Sequence, residues 1–182
     1  MSDQVRSNAA QPGWQPNAGS RPAYDPWEAP ELFSGLLTRR FFAFLIDLIV
    51  LAIPLVLAII FITLFGLVTL GLGWALFWLV SPASVIWALL YYGFSLGGPH
   101  SATLGMRAMD VQMRTWFGEP AYFLLGATHA VIFWISISIL TPFILLVGLF
   151  NRRRRMLHDI ILGTVIVRTS VREDMARAGY PV

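Results

Sequence analysis

The sequence predicts an all-α fold: a small polytopic helical membrane bundle of three to four membrane segments behind a disordered N-terminal tail. Three observations carry this. Apolar residues make up 57% of the 182 residues and charged ones only 13%, about half the charge fraction of an ordinary soluble domain. Between Asp47 and Arg107 no side chain carries a charge unless His100 is protonated, and between Glu119 and Arg152 the only side chain that can gain a charge near neutral pH is His129. A water-soluble surface needs charge, so these runs face lipid.

Residues 1–31 read as a disordered, Pro-rich cytoplasmic tail. Pro12, Pro16, Pro22, Pro26 and Pro30 recur among Gln, Asn, Ser and Gly, a composition that cannot bury a core. Trp14, Tyr24 and Trp27 are interleaved with them, which suits either a solvated tail touching the membrane interface or a docking peptide for a protein partner. The membrane domain spans 32–168. Its apolar segments are 41–65, 74–94 and 121–150, each near or above the roughly 20 residues a spanning helix needs. Pro54 and Pro82 are kink candidates. The uncharged linker 66–73 joins the first two segments. Trp74, Trp78, Trp87, Tyr91 and Tyr92 read as interfacial anchors, and Gly93 and Gly97 as a helix C-cap more than a GxxxG contact. Residues 95–119 read as a polar loop. Thr141-Pro142 divides the third segment with an N-cap and a proline at the first helical position. Residues 156–167 are too short to span and read as an interfacial turn of helix followed by an extended piece after Gly163. Residues 169–182 are a mixed-charge tail.

Arginine supplies all thirteen basic Lys/Arg positions. Arg39 and Arg40 place the N-terminus in the cytoplasm, and Arg107 and Arg114 return the second loop there. Arg152 to Arg155 join them if 121–150 turns back at Pro142. A reducing or inner-membrane setting fits the absence of cysteine. Without cysteine there is no disulfide, no thiolate nucleophile and no cysteine-held metal.

Asp47 stands inside the first apolar run, seven residues after Arg40. That spacing is about two helical turns, so both share one helix face and lie roughly 10 Å apart in depth. A carboxylate at mid-membrane costs about 2.5–3.5 kcal/mol, which makes Asp47 the first candidate site: an ion pair with an arginine, or a proton or cation relay. Arg40 reads as a snorkelling anchor or as a partner of Asp47 or Asp159. Asp159 follows the arginine run and can accept a bidentate pair from it or from Arg40, with Arg154 and Arg155 as neighbours. His158 reads as a packing or capping residue. His129 reads as a hydrogen-bonded packing residue or a proton relay. His100, His129 and His158 have no metal-type spacing, so the sequence offers no metal site. Nor does it suggest a cofactor, a phosphate loop, a nucleophile arrangement or a soluble basic face for nucleic acid. The chain reads as no enzyme, with membrane lipids as partners and anionic headgroups at Arg152–Arg155.

Arg40-Phe-Phe-Ala43-Phe-Leu-Ile46-Asp47, Thr103-Leu-Gly105 with Val111, and Arg154-Arg155-Met-Leu157-His158-Asp159-Ile-Ile-Leu-Gly163-Thr164 together resemble the RDD family, small prokaryotic membrane proteins named for one arginine and two aspartates. The residues matching the name are Arg40, Asp47 and Asp159, and the resemblance covers about 36–168. Met106 stands where that family often has Lys, which leaves a phosphate-facing or interfacial role to Arg107. The resemblance implies transport of a small ion or solute, with cation/proton exchange suggested for some members. A bundle this small would then work as a homo-oligomer. The alternative is a membrane scaffold or assembly partner whose Arg–Asp pairs are structural.

Overall fold

The structure, a computed structural model, describes residues 24–140 and 153–180. The tail before Tyr24, the Thr141-Pro142 break and Arg152 lie outside the described residues. Helix α1 runs Leu36–Val68 and α2 runs Phe77–Leu96, both continuing through their prolines. A short α3, Leu104–Ala108, and strand β1, Val111–Thr115, follow. Helix α4 is Phe123–Leu140, α5 is Leu157–Ile161, strand β2 is Thr164–Arg168 and α6 is Thr169–Arg177.

The helices bury little of their apolar surface. Ile49, Ile53, Leu57, Phe61, Leu64 and Leu67 on α1 are all more than half exposed. Apolar patches far larger than soluble proteins tolerate mark α1 and α2 as lipid-facing, and both are long and apolar enough to cross a membrane. At 1.5 Å per residue the 33 residues of α1 extend about 50 Å, beyond a hydrocarbon core of roughly 30 Å.

The packed core sits at one end of the bundle instead. There Tyr24, Leu32, Phe33 and Leu36 meet Tyr91, Tyr92 and Leu96 from α2, Leu125 from α4, and Val111, Met113 and Val165–Val167 from the strands. The N-terminal tail therefore ends earlier than its composition suggests. From Tyr24 the chain is packed, Tyr24 being 2% exposed, and a 3-10 turn over Pro30–Phe33 starts on its proline.

The polar loop 95–119 also holds more structure than expected. β1 pairs antiparallel with β2, Met113 opposite Ile166 and Thr115 opposite Thr164, so the all-α expectation is modified by a two-stranded sheet. The extended piece after Gly163 is its second strand. Gly97 is the C-cap of α2, in a right-handed conformation, its N–H donating to the Gly93 carbonyl. Gly93 and Gly97 are also a close-approach surface: a Cβ on Gly93 would meet the Phe123 ring at 2.6 Å and one on Gly97 would meet the Phe123 backbone at 2.3 Å. The C-cap and the GxxxG contact therefore coexist, and the contact seats α4 on α2. Trp74 is likewise no plain anchor. Its ring lies where a Cβ on Gly66 would stand, 1.8 Å from Cδ1, and it closes the turn between α1 and α2.

The C-terminal residues 169–182 are not simply a tail, because α6 occupies Thr169–Arg177. Asp110 starts that helix: Oδ1 accepts the Ser170 N–H at 2.8 Å, Oδ2 accepts the Ser170 hydroxyl at 2.7 Å, and Arg168 and Arg39 approach Oδ2 at 3.4 and 3.6 Å. Partial burial works against the charge on Asp110, but the bonds from Ser170 and Arg168 outweigh it and hold the carboxyl below its ordinary value. A group depressed on folding contributes stability above its unfolded value, about 4, and loses it as pH falls through the folded value. Acidification below about pH 4 is therefore expected to raise amide exchange in α6 before it touches the β1–β2 ladder. Equal exchange in α6 across that range would show that Asp110 does not anchor it.

Candidate functional site

Asp47 is 4% exposed, inside α1. Its Oδ1 accepts the Tyr91 hydroxyl at 2.6 Å and the Gly105 N–H at 2.8 Å, and its Oδ2 accepts the Thr103 hydroxyl at 2.6 Å. Thr103 is also the N-cap of α3, its hydroxyl accepting from the Met106 N–H. Tyr91 accepts in turn from the Leu104 N–H. The carboxylate thus fastens the Thr103-Leu104-Gly105 turn and α2 to α1. Among the described residues it makes no ion pair, so the expected arginine partner is replaced by three neutral donors. Gly105 is required by the close approach: a Cβ there would stand 2.1 Å from the Ala43 carbonyl oxygen and 2.8 Å from Asp47 Oδ1.

Arg40, one turn into α1, pairs with Asp159 instead, Nη1 to Oδ2 at 2.6 Å. Asp159 is the third residue of α5, and the same Oδ2 accepts the Met156 N–H at the helix start, 2.9 Å away. This is half of a capping box, so one oxygen both caps α5 and binds α1. Arg40 also donates to the Arg154 carbonyl at 3.4 Å and to His158 Nε2 at 3.3 Å. Asp159 is fully buried, which opposes its charge, yet the Arg40 guanidinium holds its carboxyl far below the usual range.

The other oxygen is different. Asp159 Oδ1 has no hydrogen-bond partner among the described residues. Its polar neighbours are His158 Nε2 at 3.5 Å and His129 Nε2, from α4, at 3.9 Å. Burial pushes the His158 ring down to about 3, so it is neutral at ordinary pH. An arginine can only donate, which makes His158 Nε2 the acceptor and puts its proton on Nδ1, an atom without a partner here. His158 Nε2 and Asp159 Oδ1 therefore face each other as two lone-pair bearers. His129 and His158 stack edge to face with centroids 4.8 Å apart. Beside them opens a cavity of about 330 Å³, walled by Phe44, Phe133, Met106 and Met156 and reached by Arg40, Asp47, His129 and His158.

Sequence reasoning named all these charged residues but joined them differently. Arg40 and Asp47 share the cavity wall without pairing. His158 and His129, spaced without any motif, lie in contact. The roles of Tyr91 and Thr103 were missed, and a tyrosine one helix away from a lone membrane aspartate was the available signal. Arg155 turns inward, donating to the Thr164 and Asp159 carbonyls at 2.8 and 2.7 Å and covering the Trp116 ring at 4.5 Å. Arg153 covers the same ring at 4.8 Å. Arg107 is exposed and bonds the Ala102 carbonyl. Arg153–Arg155 and Asp159 share an end of the bundle with Arg39 and Arg40.

Lipid-facing helices closed at one end by a buried polar cluster define an integral membrane protein. The RDD family model matches residues 35–163, and the chain belongs to the RDD family. No curated protein and no solved structure matches it.

Proposed function

We propose that this protein moves a small cation across the inner membrane of a bacterial cell, and that Asp159, not Asp47, is the carboxylate at which the cation exchanges. The observation carrying this reading is the unpartnered Asp159 Oδ1, buried beside two histidines that line a cavity. Asp47 has a donor on each oxygen, whereas Asp159 Oδ1 has none among the described residues. Intramembrane and buried carboxylates on ion paths need a free face. In this reading the N-terminus is cytoplasmic, by the arginine bias of the ends, a homo-oligomer supplies the path that one small bundle lacks, and anionic headgroups meet the arginine-rich end. No chemical transformation is involved.

The test is cation-dependent proton flux in proteoliposomes of the purified full chain. Asp159→Asn is expected to abolish flux. Asp47→Asn is expected to keep it, because an amide oxygen at the Oδ1 position still accepts from Tyr91 and Gly105, and the Thr103 hydroxyl can turn to accept from the amide. Flux that survives Asp159→Asn in monodisperse protein would sink the proposal. A second reading has its own observation: Asp47 and the Arg40–Asp159 pair between them join α1, α2, α3 and α5. If wild type moves no cation, the protein is an assembly partner whose charges hold its shape.

A further inference from the structure

We propose that His129, His158 and Asp159 form a binding site for a divalent transition-metal ion of the zinc or cobalt class, and that Arg40 is the cation such an ion displaces. This rests on reading the cluster as a cation site and names the cation it takes.

One ligand atom from each of the three residues lies within 4.8 Å of the others, and all three side chains are buried. A tetrahedral ion with bonds of about 2.0–2.1 Å keeps its ligand atoms roughly 3.4 Å apart. His158 Nε2 and Asp159 Oδ1 already stand at 3.5 Å, and His129 Nε2 is 3.9 Å from the same oxygen. The third pair, the two imidazole nitrogens, lies within 4.8 Å, so binding an ion draws the two rings together by as much as about 1.4 Å and Asp159 toward His129 by about half an ångström. No hydrogen lies between His158 Nε2 and Asp159 Oδ1, because Arg40 donates to that nitrogen. Two imidazoles and one carboxylate suit borderline metals, whereas sodium and potassium take oxygen sets.

Arg40 is the competitor. It holds Asp159 Oδ2 and His158 Nε2, and a divalent ion beside its guanidinium would be repelled. Its side chain is 10% exposed, so a long arginine stem can swing its head outward as the ion arrives. Three ligands leave a coordination position open, unlike the closed set of a structural zinc. Neither Nδ1 has a partner among the described residues. Such partners raise affinity 10–100-fold where present, so this site holds its ion weakly enough to release it.

Titrating cobalt(II) into the detergent-solubilised full chain is expected to produce a visible ligand-field band that zinc abolishes at one equivalent. His129→Ala and His158→Ala should each remove the band. Arg40→Gln should tighten binding by about tenfold or more, the worth of the charged hydrogen bonds given up. Two results overturn the inference: monodisperse wild type that gives no band, or a band that survives both histidine substitutions. Proteoliposome flux separates the two levels. Asp159-dependent flux in a wild type that binds no cobalt would remove the metal and leave the transport reading, whereas metal binding without flux would do the reverse.

Discussion

Arg40→Ala is expected to destabilise the folded protein by about 3–5 kcal/mol, the loss seen when one partner of a buried ion pair is removed. Asp159 is 0% exposed, so its charge would remain in the interior without its short contact from Nη1. The alternative, protonation, would weaken the cap on the Met156 N–H. The pair need not add much stability as a pair, because a buried ion pair often does no better than an apolar one. The cost lies in leaving one half. Thermal unfolding in detergent should therefore show Arg40→Ala as far worse than the double variant Arg40→Met with Asp159→Asn. Additive losses in the cycle of Arg40→Met, Asp159→Asn and the two combined would contradict a direct pair. Arg40→Lys should fall between, since an ammonium can reach Oδ2 but cannot also fork to His158 and the Arg154 carbonyl.

Gly105→Ala should cost about 3 kcal/mol or more, at the upper end for overpacking. The obstacle is the Ala43 carbonyl oxygen, 2.1 Å from the added Cβ. That atom belongs to the backbone of a continuous helix and cannot turn aside as a side chain would. The Thr103–Gly105 turn must lift instead, breaking the bonds to both Asp47 oxygens. Asp47→Ala removes the same bonds from the other side, leaving the Gly105 N–H without its acceptor. The two substitutions combined should cost clearly less than their sum. A fully additive double variant would mean that the turn and the carboxylate are held independently.

Two lipid-facing runs were legible because hydropathy is local: 41–65 and 74–94 fall inside α1 and across the turn into α2. Arg40, Asp47 and Asp159 stood out because a charge at or inside an apolar run is costly wherever it occurs. What joins to what was not legible. Asp47 and Asp159 are both carboxylates, and nothing in spacing tells that one meets hydroxyls and the other a guanidinium 119 residues away. The sheet was missed for a related reason. Gln112 and Arg114 alternate with Val111 and Met113 as in a surface strand, yet all four are buried, because β2 arrives from the far end of the sequence to cover them. His129 carried the weakest signal, a single ring in an apolar helix, and its contact with His158 exists only once α4 and α5 are packed.

The 119-residue separation of Arg40 from Asp159 also sets an order of events during synthesis. At about 5–20 residues per second, α1 emerges on the order of ten seconds before its counter-charge exists. The strand β1, Val111–Thr115, likewise precedes its partner β2, Thr164–Arg168. The arginine end of the nascent chain therefore stays unsealed until the stretch from Leu157 to Arg168 arrives and acts as the latch. Quality control that samples that end would see every chain truncated before Asp159 as open, however well its membrane helices had inserted.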